Sequence, residues 1–145
     1  DLEDKMAGCF RAGAVATRCE YDVHDASPRY RELTPDPWLA EVFRAEAQRC
    51  GRTPVPADVE KSLPLGSTDM GNVTQVLPGI HPSVGIDAGG ATLHQQGFAA
   101  AAVSPSGDSA VIDGAIMLAR TVVALAETPA QRDRVMELRE RRMAR

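Results

Sequence analysis

The feature that most restricts this chain is the stretch Asp108–Glu127, DSAVIDGAIMLARTVVALAE. Its apolar residues Val111, Ile112, Ala115, Ile116, Leu118, Ala119, Val122, Val123 and Leu125 cover most of the circumference at helical spacing. That pattern predicts the longest helix of the chain, heavily buried, with other elements on several sides of it. At 145 residues the chain is long enough for one domain with a core of its own.

Shorter elements are read around it. Leu2, Met6, Cys9, Phe10 and Gly13 recur at helical spacing and predict an amphipathic helix from Leu2 to about Ala16. Cys19, Tyr21 and Val23 alternate with Glu20, Asp22 and His24, the period of a half-buried strand. Thr34-Pro35-Asp36-Pro37 opens a helix that carries Leu39, Val42, Phe43, Ala47 and Cys50 on one face and stops at Gly51. The proline-bearing stretch 52–64 is an irregular connection. Ser67 or Asp69 caps a short helix to Val76, Ile80–Ile86 is a strand, and 87–97 is a Gly-rich loop. A last helix restarts at Pro129 with a solvated, Arg-rich face. Helix, strand and helix in this order predict an α/β arrangement, and the first helix and strand look like one piece of a sandwich that lacks its other strands.

With a net charge of −4, a general affinity for nucleic acid is not expected. No apolar run approaches the ~20 residues that cross a bilayer, so no membrane partner is expected. Cys9, Cys19 and Cys50 are odd in number and widely spaced, which speaks against a disulfide framework and a Cys-based zinc site. They are expected to be buried free thiols, as in a reducing cytoplasm.

Chemistry concentrates in GSTDMGNVTQVLPGIH, residues 66–81, and in the loop holding His94. The small residues Gly66, Ser67 and Gly71 let a ligand approach the backbone, and a helix opening there aims N–H groups at an anion such as a carboxylate. Asp69 either caps that helix or orients a neighbouring His. His94, in a Gly-rich loop, can turn a ring nitrogen toward a metal, or simply face solvent. His81 reads as partly buried and His24 as exposed on a polar strand face. A catalytic zinc takes three protein ligands and keeps one open position. One good candidate ligand, with no H-x-D and no Glu-Glu pair in the cluster, means that at most part of such a site is here.

The run GSTDMGNVTQVLPGIHP followed by LHQQGFAAAA resembles the carboxy-terminal part of the metal-dependent amidohydrolases that include aminobenzoyl-glutamate hydrolase, aminoacylases and carboxypeptidase G. The resemblance extends back through LEDKMAGCFRAGAVATRCEYDV and forward past Asp108. It implies a split zinc-peptidase-like α/β catalytic domain with an inserted ferredoxin-like lid. Residues 1–26 would end the lid, which also serves dimerisation, and 27–145 would be the returning part of the catalytic domain. The chain opens on Asp1 with no lead-in and looks cut from something longer.

By the same resemblance His94 is a metal ligand, and Gly66, Ser67, Thr68 and Asp69 form the loop beside metal and substrate. The other ligands, the Glu-Glu pair and an assisting His lie upstream, so no catalytic residue is expected in this stretch. The implied cofactor is zinc or manganese, one or two ions, which lower the pKa of a bound water. The implied reaction is hydrolysis of an amide bond in a small N-acyl amino acid or dipeptide, by a cytoplasmic homodimer, with the isolated piece inactive. The alternative is a non-catalytic binding or dimerisation module descended from this fold. His81 and Asn72 match the motif with no role attached, and QQGFAAAAVSP is more apolar and less acidic than the family pattern.

Overall fold

The structure, a computed structural model, describes residues 1–60, 66 and 68–144. Seven helices follow one another among them: α1 (Leu2–Thr17), α2 (Pro37–Arg49), α3 (Ala57–Glu60), α4 (Met70–Val76), α5 (Gln96–Ala102), α6 (Pro105–Glu127) and α7 (Pro129–Met143).

The α/β expectation, with its split zinc-peptidase-like domain and ferredoxin-like lid, is overturned. Helix accounts for 61% and there is no strand or sheet among the described residues. The two stretches read as strands explain why. Residues 19–24 are exposed on every side, so their alternation of residue types has no surface to lie on. Residues 80–88 do alternate, with Ile80, Pro82, Val84, Ile86 and Ala88 partly covered and His81, Ser83, Gly85 and Asp87 exposed. Ile80 and Val84 lie against the core. Period two therefore records a chain laid along a helical surface, and a ladder also needs a neighbouring backbone.

α2 starts where the sequence places it. Asp36 is the cap, its Oδ1 accepting from the Leu39 N–H at 3.1 Å, with Pro37 in the first turn. Leu39, Phe43 and Ala47 are buried along one face, and the core proper is Phe43, Ala47 and Met117 with Cys50, Ile80 and Val84 packed on it. α2 against α6 is the principal helix pairing, with α5 and α7 also on α6 and α4 on α7.

α6 starts at Pro105, earlier than expected. Ser104 caps it by accepting from the Gly107 N–H at 3.4 Å. A Cβ at Gly107 would overlap the Ala102 carbonyl, so the tight α5–α6 corner requires glycine there. The expectation of a heavily buried helix fails. Met117 is fully buried, but Val111 and Val122 are 70% and 66% exposed, and Ile112, Leu118 and Val123 face outward too. By length and composition α6 is also long enough and apolar enough to cross a membrane, against the reading that no such run exists. Here one stripe of it packs on α2, and its Asp113 and Arg120 are paired with Arg52 and Glu46.

The first 30 residues stand apart. All but Ala14 are exposed, and α1 packs on no other helix. Cys9 and Cys19 are therefore exposed thiols, and only Cys50 is partly covered, correcting the expectation that all three are buried. The solvated face expected for α7 is also modified. Arg134 and Arg142 turn inward, Arg134 to Asp36 and Arg142 to the carbonyls of Thr74 and Leu77 at the end of α4.

Candidate functional site

The cluster 66–81 divides into two halves with different work. In the second half, α4 is bound to the stretch 29–34 by its own side chains. Asn72 Oδ1 accepts from the Arg31 N–H at 2.7 Å, and its Nδ2 donates to the Arg29 carbonyl at 3.0 Å. The Thr34 N–H donates to Thr74 Oγ1 at 3.0 Å, and that hydroxyl donates to the Gly71 carbonyl. Gln75 Nε2 donates to the Glu32 carbonyl and to Thr34 Oγ1. A Cβ on Gly71 would overlap the Arg31 carbonyl oxygen. Small polar residues are crowded here because a backbone with no ladder partner takes its hydrogen bonds from the side chains of a helix.

The first half is the candidate ligand loop. Gly66 and Asp69 are exposed and Thr68 is partly covered. Ser67, read as a substrate-binding residue, lies outside the described residues. Asp69 occupies the cap position of α4, but its side chain makes no cap bond. Thr68 does that work: its Oγ1 accepts from the Met70 N–H at 3.3 Å and its carbonyl from the Gly71 N–H at 3.1 Å. The Asn72 N–H donates to the Asp69 carbonyl at 2.9 Å. The N–H groups of Met70, Gly71 and Asn72 are therefore engaged within the turn, so these three are not free donors for an anion. The Asp69 carboxylate is left facing outward, 3.5 Å from Thr68 Oγ1.

His94 is exposed and sits at φ 65°, in the left-handed region, one of two non-glycine residues there, with Arg18, among the described residues. Gly89 and Gly90 before it also have positive φ, and Asp87 Oδ1 accepts from the Gly89 N–H at 3.1 Å. A His held in that region costs about 1 kcal/mol or more of backbone strain, which is stored more often at functional positions than elsewhere. α5, which begins at Gln96 just after His94, overlaps only the end of the loop expected at 87–97 and was otherwise unassigned. Its poly-alanine core was the available signal.

The two halves of the candidate site rest on different supports. α4, after Thr68 and Asp69, lies on α7, and α5, after His94, lies on α6; α4 and α5 make no helix contact. Among the described residues no three His, Cys, Asp or Glu side chains converge as metal ligands. His94 offers one imidazole where a catalytic zinc takes three ligands, so this chain alone does not fit the ion. His81 is exposed rather than partly buried, and His24 is exposed, its Nδ1 3.8 Å from Asp22 Oδ2. The open groove between α1 and residues 19–24 holds none of the candidate site residues.

The charge pair that sequence reading missed is Asp36–Arg134. Burial pushes the Asp36 carboxyl up. The Arg134 guanidinium and the N–H groups of Leu39 and Trp38 outweigh that and hold it below the ordinary carboxylate value, while Asp36 in turn raises Arg134.

No protein-family model matches the chain, and no solved structure matches it significantly. Two curated proteins do. It is 33% identical over 131 residues to a mouse (Mus musculus) protein named Xaa-Arg dipeptidase, covering 89% of this chain and 30% of that one. It is 31% identical over 122 residues to a human (Homo sapiens) protein of the same name, covering 84% of this chain and 28% of that one. The chain thus spans less than a third of the length of these relatives. Their names and the extent of the likeness support a peptidase-family relationship for this chain.

Proposed function

We propose that this chain is one part of a metal-dependent dipeptidase or amidohydrolase that cleaves an amide bond in a small dipeptide or N-acyl amino acid. The observation that carries the reading is likeness to proteins named Xaa-Arg dipeptidase along 84–89% of the chain. In this reading Gly66, Ser67, Thr68 and Asp69 form the substrate-side loop. His94 contributes one ligand to a zinc or manganese centre whose remaining ligands come from outside these 145 residues. Two features support the assignment: the outward carboxylate of Asp69, and the strained, solvent-facing His94. We also propose that residues 1–26 form a unit separate from 27–145, in keeping with the exposure of α1.

The test compares the 145-residue chain with the longest natural protein that contains it. Both are assayed for release of arginine from alanyl-arginine and of glutamate from aminobenzoyl-glutamate, with added zinc or manganese and after chelation. The longer protein is expected to hydrolyse at least one of them and to lose that activity on chelation, while the 145 residues alone do not. Hydrolysis that survives complete removal of metal, or no hydrolysis by the longer protein, overturns the reading.

A further inference from the structure

We propose that Asn72 is a positioning residue: it fixes the stretch 29–34 against α4 and thereby sets the place of Thr68 and Asp69. Its side-chain amide satisfies one donor and one acceptor of the same stretch, the Arg31 N–H at 2.7 Å and the Arg29 carbonyl at 3.0 Å. An amide is the neutral group that offers both functions side by side, so it replaces one rung of a missing ladder. Gly71 allows the close approach that this pairing needs, since any side chain there would overlap the Arg31 carbonyl.

The connection to the loop is covalent and short. Asn72 lies three residues after Asp69, and its own N–H donates to the Asp69 carbonyl. The Gly71 N–H next to it donates to the Thr68 carbonyl. Shifting Asn72 away from 29–31 therefore moves the turn that holds Thr68 and Asp69. α4 buries only Gly71 and Thr74, and Thr74 is itself bonded to Thr34. Its apolar Val73 and Val76 are exposed. So α4 is located chiefly by polar bonds to 29–34 and by its seat on α7. That Thr68 and Asp69 face substrate rests on the reading above; the positioning itself does not.

The test uses the 145-residue chain, labelled with ¹⁵N, as wild type, Asn72→Ala, Asn72→Asp and the control Ser106→Ala. Amide exchange is read at Arg31 and backbone order at Thr68 and Asp69. Asn72→Ala is expected to speed exchange at Arg31 about tenfold, the loss of one hydrogen bond of ordinary strength. It should lower order at Thr68 and Asp69 and leave the Met117 amide unchanged. Asn72→Asp keeps the acceptor for Arg31 and loses the donor to Arg29, so it should retain protection at Arg31 and restore part of the loop order. A residue that only added bulk stability would show no such rescue. Ser106→Ala, which removes the bond to the Asp87 N–H, should leave all three loop readouts at wild-type values. Unchanged exchange at Arg31 in Asn72→Ala, unchanged order at Thr68 and Asp69, or an Asp variant indistinguishable from the Ala variant overturns the proposal. None of these readouts depends on peptide turnover, so a failure of the dipeptidase reading shows up separately.

Discussion

Arg134 and Asp36, 98 residues apart in sequence, meet as a two-pronged pair, Nη1 on Oδ2 and Nη2 on Oδ1, each at 2.9 Å. Asp36 is 2% exposed and also caps α2. One carboxylate thus joins the start of α2 to the face of α7. The folded-state pKa of Asp36 lies below its unfolded value. Its contribution is therefore complete above the unfolded value, about pH 3.9, and is lost as pH falls through the lower folded one. Urea midpoints of Asp36→Asn and wild type should differ at pH 7 and converge as pH drops below about 4. Arg134→Ala leaves the Asp36 charge buried with no cation and should cost about 3–5 kcal/mol at neutral pH. An unchanged midpoint at pH 7 in either variant refutes the pairing.

Met117 is fully buried against Phe43 and Ala47. Met117→Ala should cost about 2–5 kcal/mol, read from denaturant unfolding. Val111→Ala, on the exposed side of the same helix, should stay within about 0.5 kcal/mol. Equal costs at the two positions would mean that α6 is covered all round in solution.

The sequence made α1 and α6 legible through apolar residues at helical spacing, and α2 and α7 through prolines that act locally. Asp36-Pro37 and Thr128-Pro129 mark their starts, while α6 was expected from Asp108 and its actual start at Ser104-Pro105 was missed. The burial of α6 was not legible, since an apolar circumference states what a helix can bury and not what lies beside it. Nor was the lack of a strand at Ile80–Ile86, since alternation is shared by a ladder and by a chain resting on helices. At the candidate site, the cluster stood out as a cluster, but its division was hidden. Asn72, Thr74 and Gln75 serve a stretch some 40 residues earlier in the chain, and such spacing leaves no local trace. Asp36 was readable as a cap; its partner at 134 was one Arg among several on a polar helix.

Gly71→Ala tests the close approach of α4 to the stretch 29–34. The added methyl would overlap the Arg31 carbonyl, a backbone atom with no rotamer to escape into. The variant should lose protection at both the Arg31 and Thr34 amides while the α2–α6 pairing persists. Retained protection at both amides contradicts the geometry.

His94 separates stability from function. At φ 65° a His carries strain that glycine does not. Removing it, however, also gives the unfolded chain more freedom, and the two effects are of similar size, about 1 kcal/mol each. His94→Gly should therefore melt at or slightly above the wild-type temperature, whereas His94→Val, β-branched and poorly suited to that region, should melt lower. On the proposed reading both variants should lose bound metal and dipeptide hydrolysis together in the longer protein, because His94 is the ligand this chain contributes and among the described residues no group of three His, Cys, Asp or Glu converges to replace it. His24→Ala, far out on the exposed 19–24 stretch, should change neither. Full metal content and full rate in His94→Gly would remove this residue from the site. A melting order of Val above Gly would show that the left-handed turn is not held in solution.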